Sequence, residues 1–379
     1  MDDEKLNIRI IALMNFTYIL LSLFAFSASI QLLYYLCIFR KVNFFKKKET
    51  GFNKEVSIVV CGYNEAENLE ILIPKILEQD YPYFQLVVVN DQSNDDTKMI
   101  LKQWEYHPRV KIVTITDDIP KRAGKKFALS LGIKAAKYDY LLLTDADCVP
   151  EDNQWISSMV SSFSEKTQIV LGYGAYQKKK GLLNKLVRFD TFLVALQYFS
   201  YSLIGKTYMG VGRNLAYKKS LFFDNKGFAT HLHIPSGDDD LFIREVATTQ
   251  NTTISIDKSA ATISVPKESW SSWIRQKSRH LSTSGEYSFD LKVLLALFSL
   301  TQLTFWFSFI FLMIDSTFVY VTLSIFAFKI LVQYLIYFPF MKKMNEKDLA
   351  YFLILLDLLM IIFQVIFGVS NIFTKKKRW

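Results

Sequence analysis

Four long apolar stretches constrain the fold of this chain more than any other feature. They run from Ile10 to Phe39, Val293 to Ile314, Thr317 to Phe340 and Leu349 to Phe373. Each reaches or exceeds the ~20 residues that a helix needs to cross a bilayer. They explain a hydrophobic content of 51% with 32 phenylalanines. The pattern predicts an N-terminal membrane helix with its basic flank (1–49), a central domain (50–288) and a C-terminal membrane region (289–379).

Basic residues beside the apolar stretches predict the side on which each part lies. Arg40, Lys41 and the run from Lys46 to Lys48 follow the first stretch, and positive charge of this kind marks the cytoplasmic side. We therefore expect an integral membrane protein, in the inner (plasma) membrane, whose central domain is cytoplasmic. The basic tail Lys375–Arg378 does not fit this rule if all four stretches cross the bilayer, because the tail would then lie on the opposite side. Either the tail breaks the rule, or one apolar segment lies in the interface without crossing.

The net charge of +9 does not predict nucleic-acid binding. The cations lie largely at membrane edges, where they face water or lipid headgroups. Cys37, Cys61 and Cys148 show neither paired spacing nor metal-ligand partners in the sequence, which indicates reduced, structural thiols.

The central region alternates between strand and helix patterns. The predicted strands are Val56–Cys61, Gln85–Val89, Val110–Ile115 and Tyr138–Thr144, and helices are predicted over Glu67–Glu78, from Asp95 onward and over Gly124–Ala136. Pro74 within the first of these predicts a kink or a late helix start. This alternation predicts a parallel sheet covered by helices. The first strand is not followed by Gly-X-Gly-X-X-Gly or Gly-Lys-Ser/Thr, which disfavours dinucleotide dehydrogenases and P-loop NTPases.

The fourth predicted strand leads into two carboxylates, Asp145 and Asp147. In extended chain, residues two apart point to the same side. We therefore expect both side chains at the carboxyl end of the sheet, where open α/β sheets bind ligands. Two hard oxygen ligands suit Mg²⁺ or Mn²⁺ with a phosphate-bearing substrate. Aspartate is also common in turns after strands, so the motif alone leaves both interpretations open.

Six segments, in order, resemble membrane-bound family-2 inverting glycosyltransferases of GT-A fold, which are related to cellulose, chitin and hyaluronan synthases. The resemblance covers roughly residues 55–285. The segments are Val59–Glu65 (first nucleotide loop), Val89–Asp95 (second loop), Ala123–Leu129 (Gly-Lys segment), Thr144–Asp147 (Asp-X-Asp), Gly237–Asp240 (Gly-Glu-Asp) and Gln276–His280 (Gln-X-X-Arg-Trp). It implies an α/β GT-A-type domain inserted between membrane helices.

The resemblance also implies a role for each matching residue. Asp147, with Asp145, would hold Mg²⁺ or Mn²⁺, and Asp239 would be the catalytic base. The nucleotide-sugar donor would contact Tyr63, Glu65, Asp91, Lys125, Asp145, Gln276 and Arg279. The acceptor, which is lipid-linked or a glycan, would contact Arg213, Asn214, Asp238 and His280.

Two of these positions carry an argument of their own. The three consecutive acids Asp238–Asp240 repel one another, which should raise at least one carboxyl pKa and make a better base. Acids also favour a helix start, and the two roles are compatible. His280 stands where the family has a tryptophan that serves as a platform for the acceptor sugar. The smaller imidazole predicts that one or a few sugars are added per encounter.

The leading prediction is a membrane glycosyltransferase of glycan biosynthesis in the cell envelope. The runner-up is a processive polysaccharide synthase that also exports its polymer. A third hypothesis is a catalytically silent scaffold. The intact Asp-X-Asp motif and Asp239 argue against it. The amphipathic pattern of Trp270–Glu286 predicts a helix that lies at the membrane interface ahead of the second apolar stretch.

Overall fold

The computed structural model describes residues 2–47, 51, 53–116, 124–234, 236–280, 285–314 and 316–373. Within these ranges, side chains are described from Met14 to Phe367, His280 and Ser316 excepted. The tail Lys375–Arg378, Ala123 and the side chain of His280 therefore lie outside the described part.

The helices are α1 Asp2–Leu33, α2 Lys41–Phe44, α3 Ala66–Leu77, α4 Thr97–Lys102, α5 Gly124–Ala135, α6 Trp155–Val160, α7 Leu182–Leu203, α8 Lys219–Asp224, α9 Asp240–Val246, α10 Trp270–His280, α11 Phe289–Ile314, α12 Val319–Lys343 and α13 Leu353–Phe373. The strands are β1 Val56–Gly62, β2 Phe84–Asp91, β3 Val110–Ile115, β4 Tyr140–Leu143, β5 Cys148–Pro150, β6 Ile169–Leu171, β7 Gly174–Tyr176, β8 Leu215–Lys218, β9 Thr252–Ile254 and β10 Thr262–Ser264.

The predicted α/β core is confirmed. Seven strands form one sheet in the order β3-β2-β1-β4-β8-β6-β9. The first four are mutually parallel, as predicted, whereas β8 runs antiparallel to both β4 and β6. A second sheet, β5-β10-β7, starts at Cys148, directly after the predicted metal motif. Pro74 lies inside α3, which begins at Ala66, so the predicted late start is wrong.

The helices that cover the sheet pack through short-range apolar contacts. Leu69, Leu72, Ile73 and Ile76 of α3 are buried on one face. Helix α5 approaches the sheet through Gly132, where a Cβ would lie 2.6 Å from Val59 Cγ1 and 2.9 Å from Val89 Cγ2. This close approach places the first turn of α5 beside the carboxyl ends of β1 and β4, where the predicted site residues lie.

Helix α7 connects the domain with the membrane helices. Its Arg188 is almost fully buried and binds Glu346 and Asp348 in the loop after α12. Burial raises the pKa of Glu346 to about 7, although the positive charge of Arg188 acts to lower it. Removing one partner of such a buried pair leaves an uncompensated charge, so this contact fixes the domain against the membrane region.

Within the residues that the structure describes, four helices are long and apolar enough to span a membrane: Met14–Phe44, Phe289–Ile314, Val319–Lys343 and Lys347–Gly368. They agree with the four predicted stretches. The third stretch is not wholly apolar, because Lys329 lies in it, fully buried and 3.6 Å from Asp357 Oδ2. Gln302 and Gln333 donate to Asp357 Oδ1 at 2.8 and 2.9 Å. Neighbouring helices thus satisfy the buried charges, as a low-dielectric environment requires.

Candidate active site

The two predicted metal ligands lie in a turn that connects the two sheets. Strand β4 ends at Leu143, and Asp145 and Asp147 follow in the turn that leads to Cys148, the first residue of β5. Ligand atoms of Asp145, Asp147 and Cys148 lie within 4.8 Å of one another. The carboxylates therefore meet as predicted, but the extended geometry assumed for them is wrong. Their hard oxygen atoms fit a divalent cation.

Cys148 has partners that the sequence interpretation did not foresee. Its thiol donates to Asp147 Oδ1 at 3.2 Å, and its Sγ lies 2.8 Å from Ser264 Oγ. Burial raises the pKa of this thiol well above its ordinary value. Cys148 is therefore a neutral donor that orients one oxygen of Asp147, and the expectation that it lacks partners at a metal site is wrong.

Lys125 lies between the carboxylates of Asp145 and Asp238, and its side chain is 43% exposed. Its Nζ is 2.8 Å from Asp145 Oδ1 and 3.1 Å from Asp238 Oδ2. Burial opposes its charge, but Asp145, Asp238 and Asp239 together hold the pKa of Lys125 well above its usual value. It lines a small pocket of about 10 Å³ together with Asp145, Asp238 and Asp239. An anionic group that enters would find this cation already positioned.

Asp239 is held by two backbone donors. Gly212 N donates to its Oδ2 at 2.6 Å, and Asp240 N donates to its Oδ1 at 2.8 Å at the start of α9. Burial, and then the charges of Asp238 and Asp240, raise the pKa of Asp239 to about 7. The predicted rise of a carboxyl pKa is thus found at Asp239, but burial contributes more to it than the neighbouring acids do. For Asp238, burial is outweighed by Lys125, which lowers the pKa.

Lys126 is a residue that the sequence analysis missed. Unlike Lys125, it points inward and is almost fully buried. Its Nζ donates to the carbonyl oxygen atoms of His231 and Ile234, at 2.6 and 3.0 Å. Burial lowers the pKa of this lysine. The side chain thus connects the start of α5 to the chain that leads into Asp238–Asp240. The signal in the sequence was the lysine pair after Gly124, since adjacent helix positions face different directions.

The two predicted nucleotide loops hold each other in place. Asn64 N donates to Ser93 Oγ at 2.9 Å, and Asn94 N donates to Asn64 Oδ1 at 2.8 Å. Glu65 N donates to Thr97 Oγ1 at 3.0 Å. The backbone at Asn64 is left-handed, with φ of 55°, a conformation that asparagine tolerates better than most residues. Both loops therefore form one surface at the carboxyl ends of β1 and β2.

The predicted donor ligands on this surface differ in exposure. Tyr63 is 53% exposed, which leaves its ring accessible for stacking. Asp91 ends β2, and burial raises its pKa. Glu65 accepts from Asn68 Nδ2 at 2.5 Å. Burial raises the pKa of Glu65, with a further contribution from Asp147, so the structure brings Glu65 near the metal motif.

Tyr176 joins two predicted residues that are distant in sequence. The Arg213 guanidinium lies 4.4 Å from the centre of its ring, and Gln276 Nε2 donates to its hydroxyl at 3.1 Å. Arg213 Nη1 is buried without a hydrogen-bond partner among the described residues. Arg279 lies on an exposed part of α10.

Asn214 does not have the environment of an acceptor ligand. It is fully buried. Its Nδ2 donates to Tyr173 O and Ala260 O at 2.9 and 2.6 Å, and its Oδ1 accepts from Trp155 Nε1 at 3.1 Å. The geometry therefore contradicts the predicted acceptor contact, because these bonds occupy the side chain in holding three chain segments together. Asp238, another predicted acceptor ligand, forms an ion pair with Lys125, which also pairs with Asp145 of the metal motif.

A larger cavity of about 300 Å³ lies elsewhere, between the second sheet and the loop after α12. Ala175 and Ile263 line one side, and Lys343 and Glu346 line the other. None of the predicted site residues lines it. Four of the predicted site residues line the smaller pocket instead: Lys125, Asp145, Asp238 and Asp239.

Comparison with known proteins agrees with this geometry. The sequence model of Glycosyl transferase family 2 matches residues 57–224. A poly-beta-1,6-N-acetyl-D-glucosamine synthase from Staphylococcus epidermidis is 27% identical over 198 residues, which are 48% of this chain and 47% of that protein. The protein of the same name from Staphylococcus aureus is 26% identical over 193 residues, 49% and 45% of the two chains. This chain thus spans about half the length of the curated relatives it matches.

The fold is also found in a solved structure. A mannosyltransferase from Pyrobaculum calidifontis, in complex with GDP-Man and Mn²⁺, has a TM-score of 0.60 at 20% identity. The similarity covers 95% of this chain and 99% of that one. Residues 57–224 therefore match a family-2 glycosyltransferase domain, and the fold is of the GT-A type, with four apolar helices flanking the domain in the part of the chain that the structure describes.

Proposed function

We propose that this protein transfers a sugar from a nucleotide-diphosphate donor to a lipid-linked or glycan acceptor, with inversion at the anomeric carbon. The observation that carries the proposal is the array around Lys125. A cation lies between Asp145 of the metal motif and Asp238, and next to them is Asp239, a partly buried carboxylate with a raised pKa. Such an array can receive a diphosphate on one side and a proton on the other.

Asp147 and Asp145 would hold Mg²⁺ or Mn²⁺, and a divalent ion at that position supplies charge neutralisation for a departing diphosphate. Cys148 orients Asp147, and Lys125 is released from Asp145 to pair with a phosphate. Tyr63 would stack on the base, with Glu65 and Asp91 on the nucleoside side. Gln276, Arg279 and Arg213 would bind the diphosphate or the sugars, and His280 would meet the acceptor.

Asp239 would act as the general base. The acceptor hydroxyl oxygen forms a bond to the anomeric carbon while the bond from that carbon to the phosphate oxygen breaks. The diphosphate leaves with the electron pair, and the hydroxyl proton passes to Asp239 Oδ. A carboxylate whose pKa is near the working pH is well suited to this transfer. Attack on the face opposite the leaving group inverts the centre.

The site of action would be the cytoplasmic face of the plasma membrane. Arg40 and Lys41 follow the first membrane helix, and Lys342 and Lys343 end α12, as expected for cytoplasmic flanks. Nucleotide sugars are charged, so the donor would reach the domain from the aqueous phase on that side.

The test is incubation of the purified full-length protein with uridine and guanosine diphosphate sugars, UDP-N-acetylglucosamine first, followed by mass spectrometry of lipids and glycans. We expect sugar transfer that depends on a divalent metal. Absence of both transfer and donor hydrolysis across the panel would favour the scaffold alternative.

A processive synthase remains the second candidate, and the named activity of the staphylococcal relatives favours it. The histidine at position 280 favours short products instead. Sizing products over time with donor in large excess over acceptor separates the two. Long polymer formed early, while most acceptor is unused, would establish processivity.

The buried Lys126 should act on catalysis without touching the donor. Lys126→Met removes the two bonds to His231 and Ile234. We expect kcat to fall between about 10- and 100-fold, because small displacements of a catalytic group cost this much. The dissociation constant of the donor, measured by calorimetry, should change little.

Lys125→Met is the matched control, since it removes the neighbouring cation from the pocket itself. It should weaken donor binding as well as turnover. Equal losses of donor affinity in the two variants would show that Lys126 contributes to the donor site directly, contrary to this assignment.

A further inference from the structure

Arg213 is a cation whose guanidinium has no anionic partner in the described part of the chain. Its Nη1 is buried and has no hydrogen-bond partner there. Arg188 differs from it, because that arginine binds the carboxylates of Glu346 and Asp348. A buried donor without a partner costs free energy, so the fold alone does not account for a charged side chain at position 213.

Two neighbours hold the guanidinium in place without using its hydrogen-bond donors. Its Cζ lies 4.4 Å from the centre of the Tyr176 ring, and Gln276 Nε2 donates to the hydroxyl of that tyrosine. Gly174 lets the side chain approach the second sheet, because a Cβ there would lie 3.2 Å from Arg213 Nε and 3.4 Å from its Cζ. An arginine stacked on a ring keeps its N–H groups available for a planar ligand.

The order of the strands places Arg213 at one end of the row of predicted donor ligands. Tyr63 and Asp91 lie at the carboxyl ends of β1 and β2, and Asp145 follows β4. Strand β8 is the next strand in the sheet and is antiparallel to β4, so Arg213, just before β8, lies at the same edge. A donor along this edge, with its base at β1 and β2, would bring its distal phosphate and its sugar towards β8.

The backbone at Arg213 connects the catalytic base with the metal motif. Gly212 N donates to Asp239 Oδ2 at 2.6 Å. The carbonyl oxygen of Arg213 accepts from Thr144 Oγ1 and Thr262 Oγ1, both at 2.9 Å. In the proposed reaction the anomeric carbon must lie near Asp239, and the phosphate attached to that carbon is the distal one. Arg213 is therefore close to the place where this phosphate must bind.

The charges at the site call for a cation in addition to Lys125. The four carboxylates of Asp145, Asp147 and Asp238–Asp239 outnumber the three positive charges of Lys125 and one divalent ion. A diphosphate adds further negative charge. Burial acts to lower the pKa of Arg213, but neighbouring groups that include Asp145 and Asp147 raise it overall, so this side chain stays charged.

We propose that Arg213 binds the sugar-bearing phosphate of the donor and stabilises the negative charge that this phosphate gains as the sugar is transferred. The inference rests on the proposed function and assigns the residue to the donor rather than to the acceptor. When the bond from the anomeric carbon to the phosphate oxygen breaks, the electron pair stays on that oxygen. A guanidinium can bind two oxygen atoms of one phosphate, and a donor already positioned at developing charge lowers the barrier.

Binding of nucleotides with and without the distal phosphate tests this assignment. The purified full-length protein and its Arg213→Gln variant are titrated by calorimetry with UDP and with UMP in the presence of Mn²⁺, and likewise with GDP and GMP. We expect the variant to lose about 10- to 100-fold in affinity for the diphosphate, because charge-assisted hydrogen bonds to that phosphate are removed. Its affinity for the monophosphate should change little.

Two further variants separate the position of the charge from its mere presence. Arg275→Gln removes an exposed cation from α10 and should leave both affinities unchanged. Gly174→Ala keeps the charge of Arg213 but displaces the guanidinium, since the new Cβ would lie 3.0 Å from Arg213 Cβ. This variant should lose affinity for the diphosphate by a smaller factor than Arg213→Gln.

Unaltered affinity for the diphosphate in Arg213→Gln, with thermal unfolding like that of the unaltered protein, would overturn the proposal. Equal losses for the diphosphate and the monophosphate would overturn it too, because the distal phosphate would then not be the ligand. If Arg213→Gln does not fold, unaltered diphosphate affinity in Gly174→Ala has the same consequence. Binding of neither diphosphate by the unaltered protein would contradict the proposed function itself, and this inference with it.

Discussion

Asp147→Ala is expected to reduce sugar transfer by about 10³-fold or more and to abolish metal-dependent nucleotide binding. A divalent ion at a departing diphosphate contributes several kcal/mol to stabilising the transition state, and about 1.4 kcal/mol corresponds to a factor of ten. Asp147 is placed for this role because its oxygen atoms meet those of Asp145 at the end of β4. Turnover and nucleotide binding, each with Mn²⁺ and with excess chelator, measure the effect.

The matched control is Asp139→Ala, which removes an exposed acid just before the amino end of the same strand. It should retain the activity of the unaltered protein. Thermal unfolding in detergent should be similar for both variants, which would show that the loss is chemical. Unchanged turnover of Asp147→Ala, or full activity in chelator, would exclude the metal role of Asp147.

The sequence predicts the parts of the site that depend on local pattern. Asp91 and Asp145 were placed at the carboxyl ends of parallel strands because apolar runs of strand length precede them. The geometry of parallel strands then brings such positions to one edge. Asp238 and Asp239 lie near the metal motif for a different reason, because they precede α9 rather than follow a strand, and Lys125 pairs with both Asp238 and Asp145.

Other features depend on contacts between distant segments and could not be predicted. Cys148 meets Ser264, which is 116 residues away. Asn214 was expected to contact the acceptor, but its side chain accepts a hydrogen bond from Trp155, which lies in α6. The inward direction of Lys126 depends on where the chain around His231 passes. Nothing in the local sequence specifies these partners.

The membrane region shows a similar division. Length and hydropathy predict four apolar helices, and the structure has them. The same two properties do not predict which parts of the catalytic domain these helices contact. Phe363 of α13, for example, stacks on Trp270, which lies far from it in the sequence.

Asp239→Asn is expected to reduce turnover by about 10²- to 10⁴-fold, with donor binding largely retained. The substitution keeps the size of the side chain and removes its ability to accept a proton. Gly212 N can still donate to an amide oxygen, so the loop should keep its position. Steady-state kinetics give the loss of kcat, and calorimetry gives donor affinity.

The pH dependence of activity provides a second signature. A base must be ionised to act, and burial with two neighbouring aspartates raises the pKa of Asp239 to about 7. The value of kcat/KM should therefore be low below that pH, rise as the pH passes through about 7, and level off above it. The Asn variant should lose this rise along with most of its rate.

Variants of the two neighbouring acids distinguish the roles of the three carboxylates Asp238–Asp240. Lys125 keeps Asp238 ionised, with its pKa below the ordinary value, so Asp238 is suited to holding the lysine rather than to accepting a proton. Asp238→Asn should weaken donor binding through Lys125 and retain the pH-dependent rise, which should move to lower pH because the Asp238 charge that raises the pKa of Asp239 is gone. Asp240 is buried at the start of α9, and Asp240→Asn should retain that rise too. If the rise survives in Asp239→Asn and disappears in one of the other two variants, that residue is the base and Asp239 is not.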